Sequence, residues 1–228
     1  MSLVCAVHQP QFLPWLGYFD KIDKSDVFVL LDNVQYKKNE WQNRNRIRTV
    51  DGWQWLTVPV KYHFGQKINE VEIDNSKDWR KKHWQALVTN YQKAPYFKQF
   101  HTFLEGVYTR QWQYLAEINI YLIERIVELL GINTAIKRAS VLGVSGEKTT
   151  RLVNICLALG ADTYLSGTGA RDYLKEEEFS GQGIEVVFQE FQHPTYTQVF
   201  PGFELNMSII DLLLNEGPGS LQILRGGI

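Results

Sequence analysis

Two short, wholly apolar runs set the frame for this chain, Leu3–Val7 and Val27–Leu31. A strand that is apolar at every position is covered on both faces, which is the signature of a parallel sheet. Between the runs, Pro10 and Pro14 keep residues 8–15 out of helical geometry. Residues 16–24 then carry Leu16, Phe19 and Ile22 roughly in line, the spacing of a short helix. Strand, short helix and strand make a βαβ unit, so the expected fold class is α/β with the two strands parallel neighbours.

The same rhythm returns late in the chain. Strands are expected near 134–139, 162–165 and 184–188, with helices at 148–159, about 170–176, and 208–215. In between, residues 36–52 are polar and basic without periodicity, and Trp53–Val60 reads as a strand partnered by Ile68–Ile73. Three helices follow, over 77–92, 96–109 and 112–130, the last closing at Gly131 as a C-cap. The whole reads as one domain, 1–228: a doubly wound, mainly parallel sheet with a helical insertion at about 76–131. The glycine-rich end, Gly217 to Gly227, is expected to fray.

Charge and residue usage narrow the function classes. The formal net charge is −1, which argues against nucleic acid and membrane surfaces as general partners. The charge is split, however. Residues 1–112 hold 16 Lys/Arg against 11 Asp/Glu, and all seven tryptophans, whereas residues 113–228 hold 8 against 14. A basic, Trp-rich half suits a small anionic substrate with a flat ring, or simply uses Trp as core. Two distant cysteines imply no disulfide framework, and five scattered histidines imply no structural metal. The N-terminal residues lack a basic, apolar leader and no run is long enough to span a bilayer, so the expectation is a soluble, cytoplasmic protein without a membrane partner. The oligomeric state leaves no trace in the sequence.

Five segments carry polar chemistry. His8-Gln9-Pro10-Gln11 leaves the first strand, and Gly17-Tyr18 opens the helix after it. Ligands of open α/β sheets bind at such strand ends, and a helix N-terminus offers free N–H groups to phosphate. His8 is the candidate donor or general acid/base, with Gln9, Gly17 and Tyr18 beside it; the structural alternative is a His capping a turn. Asp32 ends the second strand, where a carboxylate can hold a ribose hydroxyl or a metal-bound phosphate, and Gln35 follows it. Asn43-Arg44-Asn45-Arg46 alternates amides with guanidinium groups, which fork onto phosphate or carboxylate. Lys82-His83 lies on the helix after Ser76, where a wet basic face is the plainer reading. Ser166-Gly167-Thr168 through Tyr173 again joins a strand to an expected helix and resembles an anion cradle, although the spaced Gly-Lys-Thr of a P-loop is missing. The last segment is His193-Pro194-Thr195-Tyr196-Thr197-Gln198. From these, His8, Asp32, Arg44 and Arg46 are the catalytic candidates and the remaining side chains are candidates for substrate or nucleotide binding.

Taken together, "AVHQPQFLPWLGYFDKI", "FVLLDNVQYKKNEWQNRNRIR", "WLTVPV", "YLSGTGARDYL", "HPTYTQVF" and "SIIDLLLNEG" resemble the WbqC-like family in order over essentially the whole chain. The resemblance implies a bacterial protein associated with O-antigen or other surface-polysaccharide synthesis. A weaker likeness is to nucleotidyltransferases of the HIGH superfamily, pantothenate synthetase included, with His8, Gly17, Asp32 and the Ser166 loop as counterparts. There the second motif histidine is missing, because Trp15-Leu16-Gly17-Tyr18 stands in its place. These likenesses imply a transferase acting on a nucleotide or nucleotide-linked sugar by nucleotidyl or ATP-dependent acyl transfer, with ATP or another nucleotide and Mg2+ as cofactors. The rival readings are a non-catalytic scaffold of the polysaccharide machinery and a single-strand nucleic-acid binder.

Overall fold

The strand–helix–strand start forms as expected. In the computed structural model, which describes residues 2–226, β1 (Val4–His8), α1 (Leu16–Asp23) and β2 (Val27–Leu30) come first. A hairpin of β3 (Arg44–Thr49) and β4 (Gly52–Thr57) follows, then a small pair, β5 (Val60–Lys61) with β6 (Glu72–Ile73). The helices α2 (Trp79–Tyr91), α3 (Phe97–Thr109) and α4 (Leu115–Leu130) lead to β7 (Ala135–Arg138), α5 (Ala139–Leu142) and α6 (Lys148–Leu159). β8 (Thr163–Ser166), α7 (Glu176–Ser180), β9 (Glu185–Phe188), α8 (Ile209–Glu216) and α9 (Ser220–Leu224) complete the chain.

The central sheet has the order β7-β2-β1-β8-β9, and every pairing in it is parallel. This is a doubly wound α/β sheet flanked by helices. The chain works outward from β1 through β2 to β7, then returns to the other side of β1 for β8 and β9. The reversal falls between β1 and β8, the point at which open sheets of this kind bind ligands. Both faces are buried, as the apolar runs required. Ala6, Phe28, Leu30 and Leu165 join the core beneath α1 and α4, while Cys5, Val7, Val27, Val29 and Tyr164 join that beneath α6 and α7.

Four expectations are corrected. Residues 36–52 are not featureless: β3 pairs antiparallel with β4, from Arg44 opposite Thr57 to Thr49 opposite Gly52. Ile68–Ile73 is not the partner of the Trp53 strand; Ile68–Glu70 is a 3-10 turn, and only Glu72–Ile73 pairs, with Val60–Lys61. No helix spans 170–176; a 3-10 turn covers Thr168–Ala170 and α7 opens only at Glu176. The C-terminal segment does not fray through its described part, since Gly217–Gly219 is a 3-10 turn and α9 buries Leu224. Gly227 lies outside the described residues.

Gly17 has a packing reason to be glycine. A Cβ built there falls 2.4 Å from the Trp15 ring, which is itself held edge-on against Phe191 and stacked on His193. Gly17→Ala is expected to cost about 1–3 kcal/mol, the usual size of overpacking. Urea denaturation would measure it, and the cost should largely vanish in a Trp15→Leu background. Equal costs in both backgrounds would contradict this origin.

Candidate functional site

The loop Gln9–Trp15 is pinned almost carbonyl by carbonyl. The Tyr18 hydroxyl donates to Gln9 O at 3.0 Å, and Asn119 Nδ2 donates to Pro10 O at 3.2 Å. Asn45 Nδ2 donates to Phe12 O and Leu13 O at 3.3 and 2.7 Å, and the Ile209 amide reaches Pro14 O at 2.8 Å. Phe12 N donates to Trp41 O at 3.1 Å, and the Gln9 side chain accepts at Oε1 from Gln42 Nε2 at 2.7 Å. A buried loop carries backbone groups that must be paired, and the polar residues of three neighbouring segments do this here. The loop is therefore fixed as it leaves β1.

What it holds in place is His8. β1 and β2 stay paired to His8–Leu30, and β8 and β9 to Ser166–Phe188, but β1 and β8 stay paired only to Ala6–Leu165. The two strands part at their carboxyl ends, leaving Val7 and His8 unpaired on the β8 side and opening a crevice at the reversal point of the sheet. Lys21, from α1, fills its floor: Nζ donates to Val7 O at 3.1 Å. The residue is only 3% exposed, and among the described residues no carboxylate lies within ion-pair distance of its ammonium. Its neighbour Asp20 is committed to Lys24 at 2.9 Å and to Gln189 Nε2 at 2.6 Å.

An unpaired buried ammonium is expensive. Burial pushes Lys21 down to about 8, opposed by Cys5. Burial also pushes His8 down to about 3, helped by the Lys21 charge and opposed by the Gln9 carbonyl. His8 is thus neutral and Lys21 mostly charged near neutral pH. The His8 ring stands edge-on to Tyr18 with centroids 4.9 Å apart, and Nδ1 donates to Gln9 O at 3.2 Å. That bond fixes the tautomer and leaves the Nε2 lone pair without a partner among the described residues. Ser166 is buried at the opposite lip and Gly167 follows it; the Ser166 hydroxyl lies 3.4 Å from Gly167 O. The carboxyl end of β1 therefore carries a cation and a neutral imidazole acceptor, and the end of the neighbouring β8 carries a hydroxyl.

Several other candidates have their contacts elsewhere. Both Asp32 oxygens are taken by Ser140, from its amide at 2.9 Å and its hydroxyl at 2.6 Å, so the carboxylate anchors α5 at the end of β2 instead of meeting a ribose or metal. Asn43 and Asn45 face inward and bind backbone, Asn43 to Val58 O and Asn45 to the pinned loop. Tyr196 and Gln198 both donate to the buried Asp211 carboxylate at 2.8 Å. His193 Nδ1 contacts Pro194 O at 2.8 Å, and its ring lies beside Trp15. His83 is buried with Nε2 on Thr57 O at 3.1 Å, while Lys82 is exposed on α2. Gln35, Thr168 and Tyr173 are exposed. A 3-10 turn starts at Thr168 in place of the expected helix, so Ser166 and Gly167 are what that loop contributes at the end of β8. Arg44 and Arg46 belong to an outward-facing cluster on the hairpin.

The profile of the WbqC-like protein family matches residues 9–223. The chain belongs to this family. It is 40% identical over 224 residues to the uncharacterized protein Rv1507c of Mycobacterium tuberculosis (strain ATCC 25618 / H37Rv), an alignment covering 96% of each chain. No solved structure matches. The family match begins at Gln9 and so takes in the pinned loop, Lys21 and the Ser166 lip. No helix among the described residues is long and apolar enough to cross a membrane.

Lys21 is the site residue that sequence reasoning missed. One signal was available: it stands four residues after Gly17 and three after Tyr18, hence on their face of α1. A His8-dependent stability profile checks the electrostatics. His8 is depressed relative to its unfolded value of 6.5, so the unfolded chain binds more protons between about 3 and 6.5 and stability falls as pH drops through that window. Burial gives His83, pushed down to about 4, the same sign. Urea midpoints of His8→Asn should lose less on acidification than wild type, the remaining loss belonging to the other depressed groups, His83 and His193 among them. Identical slopes for both proteins would contradict a neutral, buried His8.

Proposed function

We propose that this WbqC-like protein is a transferase whose crevice between β1 and β8 holds the phosphate of a nucleotide or nucleotide-linked sugar. The observation that carries this reading is Lys21, a buried ammonium with no counter-ion among the described residues, beside a neutral imidazole. A bound phosphate would supply the missing charge, and the fixed donors around it would act by electrostatic positioning. His8 Nε2 would take the proton of an incoming hydroxyl or amine as that group bonds to phosphorus or an acyl carbon. The leaving group would depart with its negative charge facing Lys21. The bound anion also raises the proton affinity of both groups, so His8 becomes a useful base only with substrate in place.

Magnesium does not fit as a protein-held ion here. Asp20, beside Lys21 in the chain, and Asp32, after β2, are spent on Lys24, Gln189 and Ser140, and no group of three or more His, Cys, Asp or Glu among the described residues could hold a metal. No step is routed through it. Surface-polysaccharide synthesis, which the family resemblance implies, is the setting in which an activated sugar would be the substrate.

Thermal-shift screening against ATP, CTP, UDP-sugars and dTDP-sugars, with and without magnesium, tests the reading. At least one phosphate-bearing compound should raise Tm, with its unphosphorylated nucleoside inert, and His8→Asn should retain that shift while losing turnover. Shifts that ignore the phosphate, or that vanish with His8 alone, would count against it.

A further inference from the structure

The β3–β4 hairpin carries a second cluster that the crevice does not use. Strand alternation turns Asn45 inward to the pinned loop and Arg44 and Arg46 outward. On β4 the same face carries Trp53 and Trp55, with Arg46 directly opposite Trp55 in register. Trp41 completes the group. The three indoles are 37%, 42% and 36% exposed for Trp41, Trp53 and Trp55, in a chain that buries Trp79 and Trp112 almost completely. Asn39, Trp41, Arg44, Arg46, Trp53 and Trp55 enclose a hollow of about 400 Å³.

Its chemistry is specific in two respects. The guanidinium groups lie on indole faces, Arg44 4.3 Å from the Trp55 centroid and Arg46 5.0 Å from that of Trp53. Neither arginine has a carboxylate partner among the described residues, and Arg46 Nε is buried without any hydrogen-bond partner. Only backbone oxygens of Asn39 and Asn206 engage their outer nitrogens. The charge left over calls for an anion, which guanidinium recognises through its forked N–H groups. The indole planes are not parallel: Trp41 and Trp55 meet at 47° and Trp53 and Trp55 at 80°, with centroids 5.5 Å apart in both pairs. A flat base sandwiched between rings needs parallel planes. A puckered pyranose presents C–H surfaces in several directions and fits a tilted cup.

From this geometry we infer that the hairpin is a separate binding site for an acidic sugar, a pyranose carrying a carboxylate. The sugar ring lies against Trp53 and Trp55, and its carboxylate meets Arg46. Glu40 and Asp51 stand beside the hollow in sequence, as do the exposed Lys37 and Lys38, so its surround carries both signs of charge. The site requires nothing of the crevice and stands whether or not the transferase reading does.

The test uses the full chain and intrinsic tryptophan fluorescence, with methyl glucuronide, methyl glucoside and UMP as probes. Saturable quenching by the glucuronide is expected. The glucoside should bind at least tenfold more weakly, as should the glucuronide to Arg46→Gln and Trp55→Ala. Lys21→Met should leave glucuronide binding unchanged. Circular dichroism and Tm verify that the variants fold, and if Trp55→Ala does not, Arg46→Gln decides. Equal binding of the charged and neutral sugars, tighter binding of UMP than of the glucuronide, absence of saturable quenching, or loss of binding in Lys21→Met but not in Arg46→Gln would each overturn the assignment.

Discussion

Lys21→Met is expected to weaken binding of a phosphate-bearing ligand by roughly ten- to a hundredfold or more while raising, or leaving unchanged, the stability of the protein. Loss of a hydrogen bond to a charged group costs about 1.5–3 kcal/mol of affinity. Stability moves the other way, because among the described residues the wild-type ammonium is buried against a single carbonyl, Val7 O, with no counter-ion. Replacing such a charge by an apolar side chain of similar length removes a desolvation penalty. Replacing a residue that merely supported the fold would lower stability instead of raising it. The pH dependence follows the same logic. Lys21 is depressed to about 8 from 10.5, so its penalty on folding is fully present below about 8 and relieved as pH rises toward 10.5. Ligand affinity should decline over the alkaline side of that first value, as the free protein loses the proton that the complex retains. Calorimetric titration from pH 6.5 to 9.5 reads both effects. An affinity loss accompanied by an equal loss of stability would assign Lys21 to structure alone.

Asp211→Ala is expected to produce the largest loss of stability of any substitution considered, about 3–5 kcal/mol, as when one partner is removed from a buried charged cluster. The Asp211 side chain is fully buried and accepts hydrogen bonds from Tyr91, Tyr196 and Gln198, each at 2.8 Å. The Tyr91 hydroxyl in turn receives the Arg48 amide at 2.8 Å, so this carboxylate ties α8, α2, the hairpin and the His193 segment together. Burial raises its pKa, opposed by these donors and by Arg48. Alanine leaves three donors unpaired in the core. In a chain of this size the loss corresponds to a fall in Tm of about 6–20 °C. Asp211→Asn, which retains an acceptor, should cost clearly less. A loss below about 1 kcal/mol for alanine would show that the cluster does not hold these elements together.

The parts of the fold that were legible are those whose burial pattern follows the simple periods. β1 and β2 are covered on both faces and read as apolar runs, and α4 shows its amphipathic spacing up to the left-handed Gly131. β4 falls almost wholly within the expected Trp53–Val60 strand, but its partner β3 was illegible because its buried positions mix polar and apolar side chains. β3 buries Asn45, used as a hydrogen-bond clamp, and Arg48 alongside Ile47, while the exposed side chains of β4 include Trp53 and Trp55. A rule that places apolar residues inside and amides outside finds no strand over Arg44–Thr49. The candidate site was half legible for a related reason. His8 and Ser166 stand at strand ends, which chain order can locate. Asp32, Asn43, Asn45, Tyr196 and Gln198 looked equally chemical, yet their polar atoms are consumed by Ser140, backbone carbonyls and Asp211. Composition cannot distinguish a polar group that holds a loop from one that awaits a ligand. Lys21 escaped notice because a lysine on a short helix ordinarily reaches solvent, and only the parting of β1 from β8 turns it inward.

The central claim is that Lys21 is a buried, uncompensated cation awaiting an anion at the carboxyl end of β1. Lysine side-chain NMR, with the Lys21 signal assigned by comparison with Lys21→Met, measures this directly in the free protein and with a saturating phosphate-bearing ligand from the screen. The account predicts a pKa near 8 in the free protein, rising when the ligand binds. A pKa at the ordinary lysine value, unmoved by a ligand that demonstrably binds, would contradict it.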